Sequence, residues 1–161
     1  MTETRWLDET QLNAWKNFVA VVELLPGVLD SQLQRDAELS HFEYFVLAML
    51  SEAPNHTLRM TALAAATNAT LPRLSHVASR LEKKGYLERT PCSEDKRATN
   101  AQLTSVGFDK VVATAPGHVA TVRENVIDPL TAEDVAGLDR IMGRILDTLD
   151  PEHKFNPAAR G

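Results

Sequence analysis

Apolar positions along the chain recur at helical spacing, interrupted by one stretch of alternation. Leu12, Trp15, Val19 and Val22 repeat at intervals of three and four, with Phe18 and Leu25 beside them, behind a capping Asp8. They predict one face of a long helix that bends or breaks at Pro26-Gly27. Ser40-His41-Phe42-Glu43 has the form of a capping box, opening a helix to Leu50 that carries Phe42, Phe45, Val46, Met49 and Leu50. A very short strand at Leu58-Arg59-Met60 is expected before an alanine-rich helix over residues 61–68. After a tight turn at Asn68-Ala69, Thr70 caps a helix to Lys84, with Pro72 tolerated in its first turn and Gly85 as its stop. Leu71, Leu74, Val77, Ala78 and Leu81 form its inward side. Two helices joined by so short a turn are a helix-turn-helix signature.

Residues 86–90 and 99–103 then read as strands around a charged tip at 91–98, a hairpin that makes the unit a winged helix-turn-helix. Thr104 opens a long helix with Phe108, Val111, Val112, Ala115, Val119, Val122 and Val126 on its apolar side and an expected kink at Pro116-Gly117. Thr131 caps the last helix, with Asp134 in the place of a capping-box glutamate. Its apolar positions Val135, Leu138, Met142, Ile145 and Leu149 form a narrow seam suited to another helix. The tail from Asp150 is expected to be loose. The fold class is therefore mainly α with a small β-hairpin wing. One domain over residues 1–161 divides into helical support at about 8–52 and 104–150, a winged lobe at 56–103 and a tail at 151–161.

Charge sharpens this picture. The 161 residues carry a net charge of −5, yet residues 56–103 hold 8 basic and 4 acidic side chains. A basic middle between acidic flanks points to a polyanion-binding lobe framed by something else. With 43% hydrophobic residues the chain should fold, and no apolar run is long enough to span a bilayer, so no membrane role is expected. The opening MTETRWLDET has no apolar signal core, and a single cysteine, Cys92, fits a cytoplasmic protein. No nucleophile–base pair, phosphate loop or metal-ligand spacing is present, so neither an enzyme, a cofactor nor a metal site is expected.

The stretch LSHVASRLEKKGYLERTPCSEDKRATNAQLT, residues 74–104, resembles the MarR family of bacterial transcriptional regulators. An Arg-Leu-Glu-Lys-Lys-Gly helix end runs into a strand, then a wing with Asp-x-Arg, then Leu-Thr opening the next helix. The resemblance extends over about residues 8–150. It implies a homodimer in which the first and last helices intertwine, with Leu12, Trp15, Val19, Val135, Leu138, Met142, Ile145 and Leu149 at the interface. It also implies double-stranded DNA as partner, through a pseudo-palindromic operator. Thr70, Arg73, Ser75, His76, Ser79 and Arg80 would face bases or phosphates from the recognition helix, and Lys83 and Lys84 would follow the backbone. At the wing, Arg97 would enter the minor groove beside Lys96, held in orientation by the Asp95 carboxylate. Family members commonly take small aromatic or anionic effectors where support helices meet the DNA-binding lobe. Trp15, Phe18, His41, Phe45, Val111 and His118 are the residues that would line such a cleft. Two alternatives stand beside a ligand-released repressor: a redox-responsive regulator acting through Cys92, its pKa lowered by Lys96 or Arg97, and a winged-helix adaptor for proteins.

Overall fold

A computed structural model describes residues 3–155. The first helix, α1, spans Glu9–Ala37. Asp8 and Gln11 close a reciprocal capping box at its start, the Gln11 amide donating to Asp8 Oδ1 at 2.8 Å. The helix does not break at Pro26-Gly27. Pro26 is exposed, so water can satisfy the carbonyl that loses its partner, and Leu29, Leu33 and Ala37 beyond it are buried and hold the helix on course. The face picked out by Leu12, Trp15 and Val22 lies largely exposed in its own subunit.

Helix α2, His41–Glu52, starts at the expected box: the Glu43 amide donates to Ser40 Oγ and the Ser40 amide to Glu43 Oε2, both at 3.0 Å. A single 3₁₀ turn leads to β1 (Thr57–Arg59), followed by α3 (Met60–Ala66) and α4 (Leu71–Lys83). Gly85 ends α4 at φ +77°, the left-handed conformation that a residue with Cβ resists. Strands β2 (Leu87–Pro91) and β3 (Thr99–Leu103) form the wing, and β1 joins the far edge of β3, giving an antiparallel sheet of order β1-β3-β2. Leu33, Leu47, Leu50, Leu63, Leu74, Leu81 and Leu87, all fully buried, make one core beneath the winged lobe.

Helix α5, Ser105–Val122, runs through Pro116-Gly117 without interruption, and its departure from α geometry comes later, in a π turn at Arg123–Ile127. Of its expected apolar side only Val111 is buried; Gly107 and Thr114 complete the buried strip, while Val112 and Val119 remain exposed. Thr131 and Asp134 close the capping box of α6, Ala132–Leu149, of which no side chain is fully buried in its own subunit. The tail is ordered further than expected. The amides of Lys154 and Phe155 donate to the Asp150 carboxylate at 3.0 Å each, and the Phe155 ring sits 5.6 Å from that of Phe45. The rest of the expected loose tail, 156–161, lies outside the described residues. No helix among the described residues is long and apolar enough to cross a membrane.

Candidate nucleic-acid interface

Helix α4 presents its polar side in two strips with different fates. Along one, Ser75, Ser79 and Glu82 turn toward the wing and are taken up by Arg89 of β2. Arg89 Nε and Nη2 donate to Glu82 Oε2 at 3.0 and 2.6 Å, Nη2 also reaches Ser79 Oγ at 2.8 Å, and Nη1 reaches Ser75 Oγ at 3.1 Å. The guanidinium hydrogen bonds hold the Glu82 carboxyl below the usual carboxylate range. Ser75 and Ser79, expected to face DNA, are therefore engaged inside the protein.

The other strip carries Arg73, His76, Arg80 and Lys83 outward. Arg73 lies with its guanidinium carbon 4.0 Å from the centre of the Phe42 ring, which fixes its direction and leaves its planar edge able to donate. Arg80 is half-committed: Nη2 donates to the buried Glu43 carboxylate at 2.7 Å. Lys84 is committed too, donating to the Glu38 carbonyl at 2.9 Å, with Glu43 3.7 Å away. Both cations clamp α4 to the start of α2 as well as adding positive charge. Thr70 caps α4, its Oγ1 accepting from the Arg73 amide at 3.3 Å.

At the wing tip the Cys92 amide donates to the Ala98 carbonyl at 2.8 Å, closing the turn. Asp95 Oδ1 accepts from the backbone amide of Arg97 at 3.0 Å. That corrects the expected carboxylate–guanidinium bond: Asp95 shapes the loop that carries Arg97, and the Arg97 and Lys96 side chains stand exposed. Cys92 is buried, and its thiol is pushed down in pKa first by the backbone amides of Glu94 and Asp95 and then by Arg59, not by Lys96 or Arg97. Arg59 Nη2 lies 3.7 Å from its sulfur and 3.7 Å from Glu94.

The expected cleft set divides. His41 of α2 and His118 of α5 stack with ring centres 6.3 Å apart, and Tyr44, absent from the expected set, lies 4.8 Å from His118. Asp30 of α1 accepts from the His41 amide at 2.8 Å. His118 Nδ1 is buried without a hydrogen-bond partner. Trp15 and Phe18 pair with each other at 6.2 Å, but on a continuous α1 Trp15 stands about 22 Å along the axis from Asp30. Within one subunit they do not join the histidines. Val111 belongs to the core and Phe45 faces Phe155. No cluster of three metal-ligating side chains occurs among the described residues.

The two histidines give a pH prediction. Burial lowers both pKa values; Asp30 partly offsets this for His41, and the neighbouring His41 adds to it for His118. The folded state thus binds fewer protons than the unfolded state below the ordinary histidine pKa of about 6.5, so stability is whole above that pH and falls as pH drops toward the folded-state values. Thermal unfolding should show this loss as the pH falls through and below about 6.5, and His118→Gln should flatten it. An unchanged slope in that variant counts against the assignment.

A short-turn helix pair, a three-stranded sheet and a basic strip shared by helix and hairpin tip define a winged helix-turn-helix. Residues 39–99 match the model of the MarR family. The structure of the MarR-family transcriptional regulator Sco3205 of Streptomyces coelicolor, solved in complex with DNA, superposes with a TM-score of 0.88 at 43% identity, over 92% of this chain and 93% of that one. AbsC, another MarR-family regulator of that organism, gives 0.84 at 38% identity, over 91% and 98%. The transcriptional repressor YetL of Bacillus subtilis is 31% identical over 93 residues, 56% of either chain. The chain thus spans about half the length of that curated relative. The chain belongs to the MarR family of transcriptional regulators.

Proposed function

We propose that the protein is a dimeric, sequence-selective DNA-binding repressor whose release is governed by a small aromatic or anionic effector. One observation carries the DNA reading. Arg73, His76 and Lys83 on α4 and Lys96 and Arg97 on the wing are exposed on a single lobe, while its cations Arg80, Lys84 and Arg89 are tied to Glu43, Glu38 and Glu82. Arginine and histidine on a helix of this kind suit base edges in a major groove. A free guanidinium at a hairpin tip suits a narrow, A·T-rich minor groove, where negative potential is greatest. The similar regulator Sco3205 was crystallised with DNA.

The dimer reading rests on the apolar side chains that one subunit leaves uncovered on α1, α5 and α6. For the effector, the supporting feature is the His41–Tyr44–His118 group, where a buried ring nitrogen lacks a partner that an aromatic ligand's polar group could supply.

Footprinting on the DNA flanking its own gene, with and without small aromatic acids, tests the whole reading. Two protected half-sites about one helical turn apart are expected, since a two-fold dimer meets the same groove face twice. Absence of salt-dependent, sequence-selective protection overturns it. The two arginines should then fail differently. Arg97→Ala should weaken binding by about 1–3 kcal/mol, most on operators with A·T-rich flanks, and reduce the salt slope. Arg73→Ala should relax base preference at one or two positions per half-site. Affinities on matched operator variants distinguish the two, and unchanged flank preference in Arg97→Ala removes the wing from the reading.

A further inference from the structure

Arg89 sits at the base of the wing, four residues past Gly85, yet its side chain turns back and is only 23% exposed. Four of the five guanidinium N–H donors of an arginine are accounted for by Glu82, Ser79 and Ser75. The Arg89 backbone amide adds a fifth link, donating to Glu82 Oε1 at 2.9 Å. The acceptors occupy positions 75, 79 and 82 of one helix face, a span of about 10 Å along α4. Ser79 Oγ in turn donates to the Ser75 carbonyl at 3.0 Å, so the serine that receives Arg89 is itself oriented.

The covalent joint between α4 and β2 is short: the Gly85 amide donates to the Glu82 carbonyl and the Tyr86 amide to the Leu81 carbonyl, at 2.9 and 3.0 Å. A joint of this kind fixes where the strand begins, and β1 holds the far edge of the sheet through β3, but neither ties β2 to the side of α4. A planar fork gripping two turns of the helix supplies that tie, because a guanidinium bound along two edges resists rotation as well as translation.

We propose that Arg89 and Glu82 are positioning residues for operator recognition, setting the angle of the wing to the recognition helix so that Arg97 and Arg73 read DNA as one rigid body. This rests on the DNA-binding reading above. Arg89 itself has too few free donors to serve as a phosphate contact, and Glu82 is an anion that electrostatics alone would remove from a DNA-facing lobe.

That last point makes the test sharp. Anisotropy titrations of full-length Glu82→Gln, Arg89→Lys and Ser79→Ala proteins would use three duplexes: the footprinted operator, one with G·C-rich flanks, and one with a changed base in the half-site core. Removing the Glu82 charge should strengthen DNA binding if the carboxylate is a bystander. Positioning predicts the reverse, an affinity for the operator lower by about tenfold. The ratio of affinities between A·T- and G·C-flanked operators should collapse toward unity while core-base discrimination persists. Both ratios are taken on one protein sample, so a loss of folded fraction cancels from them. Arg89→Lys keeps the charge but loses the fork and should behave like Glu82→Gln; Ser79→Ala should be milder. Glu82→Gln binding as tightly as the parent with its flank preference intact overturns the inference, as does an equal fall of both ratios. A parent protein with no selective binding would overturn the DNA reading as well, so the two failures are distinguishable.

Discussion

Glutamate at both Leu138 and Ile145 is expected to leave a chain that no longer dimerises and no longer binds an operator. No side chain of helix α6 is fully buried in its own subunit: Val135, Leu138, Met142 and Ile145 along one side are half-buried, and Leu149 on the same side is exposed. Leu149 is 73% exposed, and Trp15 and Val22 of α1 are 55% and 50% exposed. Exposed apolar surface on this scale is characteristic of an interface, not of a solvated helix. Two-fold symmetry would place each substituted residue twice in the buried seam, and unpaired carboxylates there cost at least about 4 kcal/mol in dimerisation, about a thousandfold. Sedimentation equilibrium and DNA titration measure both consequences. A folded, operator-binding monomer carrying both substitutions would contradict the dimer reading.

Among the described glycines, Gly107 is where an added methyl meets the closest contacts, and Gly107→Ala should be strongly destabilising. A Cβ at Gly107 would overlap the Tyr86 carbonyl oxygen and come within 2.8 Å of Leu103 Cδ1. Neither neighbour can yield easily: the Tyr86 carbonyl accepts from the Thr104 amide at 3.1 Å, and Leu103 is the buried end of β3. The Gly107 amide is itself held by Thr104 Oγ1 at 3.0 Å, so the first turn of α5 is anchored from both sides. A loss of about 3 kcal/mol or more is expected, lowering the midpoint of thermal unfolding by roughly 6–12 °C. Gly143→Ala, where an added Cβ meets nothing within 4 Å, is the matched comparison and should be neutral or stabilising by about 0.4–1 kcal/mol. Similar midpoints for the two variants would show that α5 does not depend on this close approach.

Local chemistry was the legible part of the fold. The boxes at Ser40/Glu43 and Thr131/Asp134, the Thr70 and Thr104 caps and the Gly85 stop involve residues three or four apart, so spacing alone reveals them. What spacing cannot reveal is which neighbour covers a face. The very short strand expected at Leu58-Arg59-Met60 forms one residue earlier, at Thr57–Arg59, where β3 offers an edge. Pro26 fails to end α1 because burial of Leu29 and Leu33 downstream outweighs one lost hydrogen bond. The site shows the same boundary. Arg73, His76, Lys83, Lys96 and Arg97 stand where the pattern puts them, exposed on the helix and the wing tip. Ser75 and Ser79 share the polar side of α4 with them, and only the fold shows that Arg89 occupies that strip. Tyr44 was missed because it reads as another core aromatic until His118 is seen beside it.

The first turn of α2 is a junction with no slack. Its opening amide, on His41, hangs from Asp30 of α1, and two residues later the Glu43 carboxylate grips Arg80 of α4 while also closing the helix cap. The His41 ring, on the same turn, lies against His118 of α5. Three helices are thus fastened to one another through about 3 Å of helical rise. The shortest polar path from the imidazoles to the recognition helix therefore runs through two residues of α2 and the Arg80–Glu43 pair, alongside the shared core.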